Sequence, residues 1–225
     1  MNPRTTRVTP VGHDGVMASP AFKGWPERAL EFYEGLEADN SKAYWLDHKD
    51  IYERDVKAPM EALLAELSKE FGDTRLFRPY RDVRFSQDKS PYKTTIAAMV
   101  GEHYIQLSAD GLLAGAGWYH MESAQLERFR AAVAADGTGR KLQSLVDGLR
   151  KKGLDVHAME VLKTAPRGYP RDHPRVELLR YTGLVAMKSW PPAAWLATAG
   201  AKKRVVEVFQ ASKPLLGWLD TNVGA

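Results

Sequence analysis

Six cations crowd the stretch between positions 75 and 93 of this 225-residue chain: Arg75, Arg78, Arg81, Arg84, Lys89 and Lys93. Only Asp82 and Asp88 oppose them, and Tyr80, Phe85 and Tyr92 are interleaved. Guanidinium groups present planar, forked donors that match phosphate or carboxylate. Lysine adds a mobile point charge, and Ser86 and Ser90 add hydroxyl donors around Pro91. The kit suits an anionic group. Arg81, Arg84, Lys89 and Lys93 would hold the anion, Tyr80 or Tyr92 would stack or donate, and Asp82 would orient an arginine or act as a base. The same residues admit a plainer arrangement, in which Asp82 and Asp88 pair with the neighbouring cations and pin a loop. Strand alternation would also put Arg81 and Arg84 on opposite faces, so one clamp needs a bend.

A second basic loop carries Lys163, Arg167, Arg171, Asp172 and His173 around Gly168-Tyr169-Pro170. Arg167 and His173 are candidates to close the anion pocket. The plainer expectation is that Asp172 caps the helix begun by Pro174.

Other chemistry is poorly supported. With no cysteine, disulfides, thiolate metal sites and cysteine nucleophiles are excluded. No serine-hydrolase elbow, Walker loop or zincin helix occurs, so catalytic residues are unassigned. Gly115-Ala116-Gly117 precedes Trp118-Tyr119-His120 rather than a helix start, which argues against a dinucleotide loop. Those glycines leave room on one strand face for Tyr104 or for a ligand near the backbone. His103 and His120 would lie diagonally across a hairpin, yet Glu102 points to the other face. No metal or cofactor is expected, and His103 is expected to pack among aromatics.

Elements must place these groups. Pro26 suits a first helical turn, followed by Ala29, Leu30, Tyr33 and Leu36. Asp39, Asn40 and Ser41 form a capping cluster for a second helix with a stripe through Trp45, Tyr52, Val56, Met60, Leu63, Leu67 and Phe71, interrupted at Pro59. Alternation then predicts a strand through Tyr80–Phe85, and further strands over 94–100, 102–107 and 112–119. The Asp110-Gly111 turn predicts Ala109 opposite Leu112 and His103 opposite Trp118. Helical stripes return at Leu126–Val133 and Leu142–Leu149, then a short helix through Leu178-Leu179. A strand over Leu184–Met187 and C-terminal helices close the chain. Helices, antiparallel strands, then helices again predict an α+β fold: an antiparallel sheet of about four to five strands flanked by N-terminal and C-terminal helices.

The hydrophobic share of 44% and charged share of 27% are those of a globular protein. A tail is expected over 1–24 and one domain over 25–222. No apolar run reaches the roughly 18 residues of a bilayer span, so no membrane partner is expected. The net charge of +4 accommodates anions without demanding nucleic acid.

Arg81-Asp82-Val83-Arg84-Phe85-Ser86-Gln87-Asp88-Lys89-Ser90-Pro91-Tyr92-Lys93-Thr94 resembles the signature of the DUF2461 family of uncharacterised proteins. Two further blocks agree in order and spacing: Asn40 to Lys49 with Tyr52 and Val56–Pro59, and Leu162 to Tyr169 with Asp172-His173-Pro174 and Leu178–Arg180. The resemblance covers about residues 22–222. It implies an α+β fold and a bacterial-type cytoplasmic protein, and it assigns no reaction. The reading is a domain that binds a phosphate-bearing small molecule. Its rivals are a nucleic-acid-binding module on the same surface and a non-catalytic interaction protein with structural arginines.

Overall fold

Residues 28–71 are mostly helical because their apolar residues recur every three or four positions. α1 (Arg28–Ala38) buries Ala29, Leu30, Phe32, Tyr33 and Leu36. α2 (Lys42–Asp47) starts at Ser41, whose hydroxyl accepts the Tyr44 N–H at 3.1 Å. α3 (Lys49–Ile51) runs into a π-helical stretch, Tyr52–Lys57, and then into α4 (Ala58–Phe71). The expected interruption at Pro59 is taken up by that wider turn. Proline has no N–H to donate, and its ring crowds the turn before it. The structure is a computed structural model that describes residues 21–84 and 87–224. Of the tail expected over 1–24, residues 1–20 lie outside the described residues, whereas Phe22 is buried with its ring edge-on to Trp25.

Among the described residues, six antiparallel strands form one sheet in the order β1-β2-β3-β4-β6-β5. They are β1 (Thr74–Leu76), β2 (Thr95–Val100), β3 (His103–Ser108), β4 (Gly111–Trp118), β5 (Asp155–His157) and β6 (Leu184–Trp190). The α+β class is as expected; the strand count exceeds the expected four to five. β1 and β5 have three residues each, too few for alternation to show in a sequence.

The strand expected through Tyr80–Phe85 is corrected in its described part. Tyr80 and Tyr92 form only an isolated bridge, with Arg81 N–H on the Pro91 carbonyl at 2.9 Å and Lys93 N–H on the Pro79 carbonyl at 2.7 Å. Pro79 and Pro91 have no N–H, so the ribbon cannot continue as a ladder. The hairpin register also differs. Ser108 pairs with Gly111, the turn residues are Ala109 and Asp110, and His103 faces Ala116 rather than Trp118. Gly111, at φ +108°, takes the left-handed position just after the turn. The slip is an even number of residues, so every side chain keeps its expected face.

Among the described residues, helices cover one face of the sheet. α4 packs on β1 and β2, α6 (Asp136–Lys151) on β5, and α8 (Gly200–Asn222) on β4 and β6. Alternate strand residues meet them: Ile96, Ala98, Val100, Ile105, Leu107, Leu112, Ala114, Leu184 and Ala186 are all buried. Each large apolar side chain so buried stabilises the fold by about 1.5–3 kcal/mol. His103 shares this face, edge-on to Phe71 at 5.1 Å and tilted on Phe209 at 4.4 Å, as its aromatic packing predicts.

α5 (Ser123–Ala134) ends on a buried cation. Arg175 Nε donates to the Val133 carbonyl at 2.7 Å and Nη2 to the Ala134 carbonyl at 2.9 Å. Arg175 also stands at the N-cap of α7 (Val176–Leu179), without a side-chain cap bond. The expected Asp172 cap is therefore not formed; Asp172 is exposed, and His173 Nδ1 accepts the Arg175 N–H at 3.0 Å.

Candidate functional site

The basic segment leaves the sheet where β1 ends and returns where β2 begins. Phe77 N–H still reaches the Ala97 carbonyl at 2.9 Å, and the Tyr80–Tyr92 bridge follows. The ribbon is anchored from below. Asn40 bonds both backbone groups of Tyr92, and the Tyr92 ring stacks on Trp45 at 4.4 Å and 8°. Tyr92 is thus a buried support, and burial raises its hydroxyl pKa. Tyr80 remains 49% exposed.

The two carboxylates of the segment are engaged. Arg81 pairs with Asp88, and Arg84 grips Asp82 through Nε at 2.9 Å and Nη2 at 2.6 Å. That hydrogen bonding holds the Asp82 carboxyl below its ordinary pKa, so Asp82 stays a counter-ion rather than a ready base. Asp88 also accepts the Ser90 N–H at 2.9 Å, and Lys89 Nζ donates to the Val83 carbonyl at 3.0 Å. These contacts shape the loop.

Lys93 differs. Its Nζ lies over the Phe77 ring at 5.6 Å, with the Arg75 guanidinium over the same ring at 5.0 Å. No carboxylate of the described residues forms an ion pair with Lys93. Burial lowers its pKa, and the positive charges of Arg78 and Arg81 lower it further. A knot of positive potential therefore surrounds Lys93.

The second basic loop springs from elsewhere. It links β5 to β6, and Leu184 opens β6 at the Trp118 end of β4. Thr95 opens β2 at the opposite end, paired with Ser108. The two segments leave diagonally opposite corners, about 20 Å apart across the strands at ordinary spacing. Among the described residues, no hydrogen bond or ion pair joins Arg167 or His173 to the segment 77–94. Both belong to a separate corner, with Arg167 exposed.

The face of the sheet away from the helices holds a feature that sequence reading reached only at the glycines. Arg75, Met99, Tyr104, Gly115, Met187 and Asp155 are successive cross-strand partners, one per strand. Beside this row lies a groove of about 570 Å³ lined by Met99, Tyr104, Leu113, Met187 and His157. Gly115 leaves room for the Met187 side chain that forms the groove's wall: a Cβ there would meet the Ala186 carbonyl oxygen at 2.4 Å and Met187 Sδ at 2.3 Å. His157 Nδ1 lies 2.9 Å from Asp155 Oδ2 on this same face. Asp155 and His157 were missed because a three-residue edge strand gives no periodic signal; their i, i+2 spacing was the only clue.

Among the described residues, no group of three His, Asp or Glu side chains is placed to hold a metal ion. No helix of the described residues is long and apolar enough to cross a membrane.

The described residues form an α+β two-layer architecture with a cationic corner and a grooved sheet face. The chain belongs to the DUF2461 family, described as conserved hypothetical proteins, whose model matches residues 28–218. No curated protein matches the chain. No solved structure matches it either.

Proposed function

We propose that the protein binds a small anionic, phosphate-bearing ligand at the corner around Lys93. The observation that carries this reading is the convergence of Lys93 and Arg75 on one ring, Phe77, with Arg78 and Arg81 adding positive charge. An anion there relieves the mutual repulsion of the cations. Arg81 contributes while held by Asp88, Arg84 and Lys89 fix the loop, and Tyr80 is exposed alongside to stack or donate. Tyr92 and Asp82 act through support rather than contact. Arg167 and His173 serve no part in this site.

A second reading keeps one observation. The Arg81–Asp88 and Arg84–Asp82 pairs are what structural arginines would form. The test is thermal unfolding with inorganic phosphate, pyrophosphate, nucleotides and a single-stranded oligonucleotide, on wild type, Lys93→Ala and Arg75→Ala. Ligand that binds only the folded state raises Tm. The expected result is a rise with phosphate compounds that both substitutions abolish. No shift with any phosphate compound defeats the reading. A shift with the oligonucleotide alone, falling steeply with salt, would give the corner to nucleic acid instead.

A further inference from the structure

We infer that the ligand is an amphipathic organic anion: its charged end at Lys93 and Arg75, its apolar body laid along the groove of the open sheet face. This rests on the anion-binding reading and adds the chemistry of the rest of the molecule. Alternation along strands places residues on one side or the other. Arg75 is the cross-strand partner of Met99, and Met99 of Tyr104, so the cation and the groove share one side of the sheet. Lys93 is tied to that side by its seat over the ring of Phe77, which lies two residues on from Arg75 and whose N–H bonds the Ala97 carbonyl.

The groove has the lining such a body needs. Met99, Leu113, Val185 and Met187 supply apolar wall, and Tyr104 supplies a ring whose hydroxyl is already bonded to Gln106 at 2.8 Å. Its volume falls within the roughly 300–1,000 Å³ of small-molecule sites. Met187 lies against Gly115, and a thioether chain re-packs readily around a guest. An antiparallel sheet face left without helices usually turns polar residues to water; this one sets methionine, leucine and valine among Gln106, Asp155 and His157. The charge order also orients the guest. The groove's own charges are mixed, Glu102 and Asp155 against Lys188, whereas Arg75 and Lys93 stand together at the β1 edge, so an anionic head is drawn to that edge.

Decyl phosphate below its micelle concentration, inorganic phosphate and decanol are the probes, titrated calorimetrically. Each methylene removed from water is worth roughly fourfold in affinity. Decyl phosphate is expected to bind at least about tenfold tighter than inorganic phosphate. Met187→Glu should remove that gain and leave inorganic phosphate binding intact; Leu113→Glu is the second variant should the first melt at lower temperature. Lys93→Ala should weaken both phosphates. If decyl phosphate binds no tighter than inorganic phosphate, or keeps its gain in a folded groove variant, the amphipathic assignment falls while the anion site stands. If inorganic phosphate does not bind and decyl phosphate binds no better than decanol, the anion site falls and takes this inference with it.

Discussion

The Asn40 side chain grips both backbone groups of Tyr92: Oδ1 accepts the Tyr92 N–H at 3.0 Å, and Nδ2 donates to the Tyr92 carbonyl at 3.1 Å. An amide side chain is the right size to imitate a neighbouring strand, because it carries one donor and one acceptor side by side. It continues the hydrogen bonding that Pro79 and Pro91 deny to the ribbon. Two of the three sequence blocks thereby meet, fifty-two residues apart, at the base of the cationic corner.

Replacing Asn40 with alanine leaves both Tyr92 groups without their partner. The expected loss is about 1–3 kcal/mol of stability, read by urea denaturation. Hydrogen exchange at the Arg81 and Lys93 amides should accelerate as well, since both belong to the ribbon that Asn40 steadies. Unchanged exchange at those amides would mean the ribbon stands without the clamp.

Asp88→Asn removes the counter-charge of Arg81 and retains an oxygen for the Ser90 N–H. The pair is partly exposed, so stability should stay within about 1 kcal/mol of wild type. Phosphate affinity should rise severalfold, because the corner gains net positive charge. A fall in affinity would show that Asp88 is needed to aim Arg81.

Arg175→Met takes away the donors that close α5. The Val133 and Ala134 carbonyls lose their bonds, and the expected cost is about 3 kcal/mol. Arg175→Lys should recover only part of it, as a single ammonium cannot reproduce the guanidinium fork. Full rescue by lysine in thermal or urea unfolding would contradict this account of the cap.

Burial lowers the pKa of His103 below its ordinary 6.5. The unfolded chain therefore takes up the proton first as pH falls. The stability this group contributes is complete above pH 6.5 and is lost as pH drops toward the folded value. Denaturation free energy measured against pH should fall over that interval, and His103→Leu should flatten the fall. Equal slopes in the two proteins would remove His103 from the acid limb.

The helical stripes, the α+β order of elements and the cationic segment were all legible in the sequence, because helical periodicity and charge clustering are local properties. The family signature was legible for the same reason. Face assignment survived even where the hairpin register did not, since an even slip preserves alternation. What only the tertiary structure decided was company. Which carboxylate each arginine takes, that Tyr92 sits under the loop on Trp45, and that Arg175 closes a helix forty residues away all depend on chain segments remote in sequence. The short edge strands β1 and β5 exist because β2 and β6 offer them hydrogen bonds, not because three residues prefer to be extended. Through them the Arg75-to-Asp155 row and its groove come into being, and no local pattern announces a surface assembled from six strands.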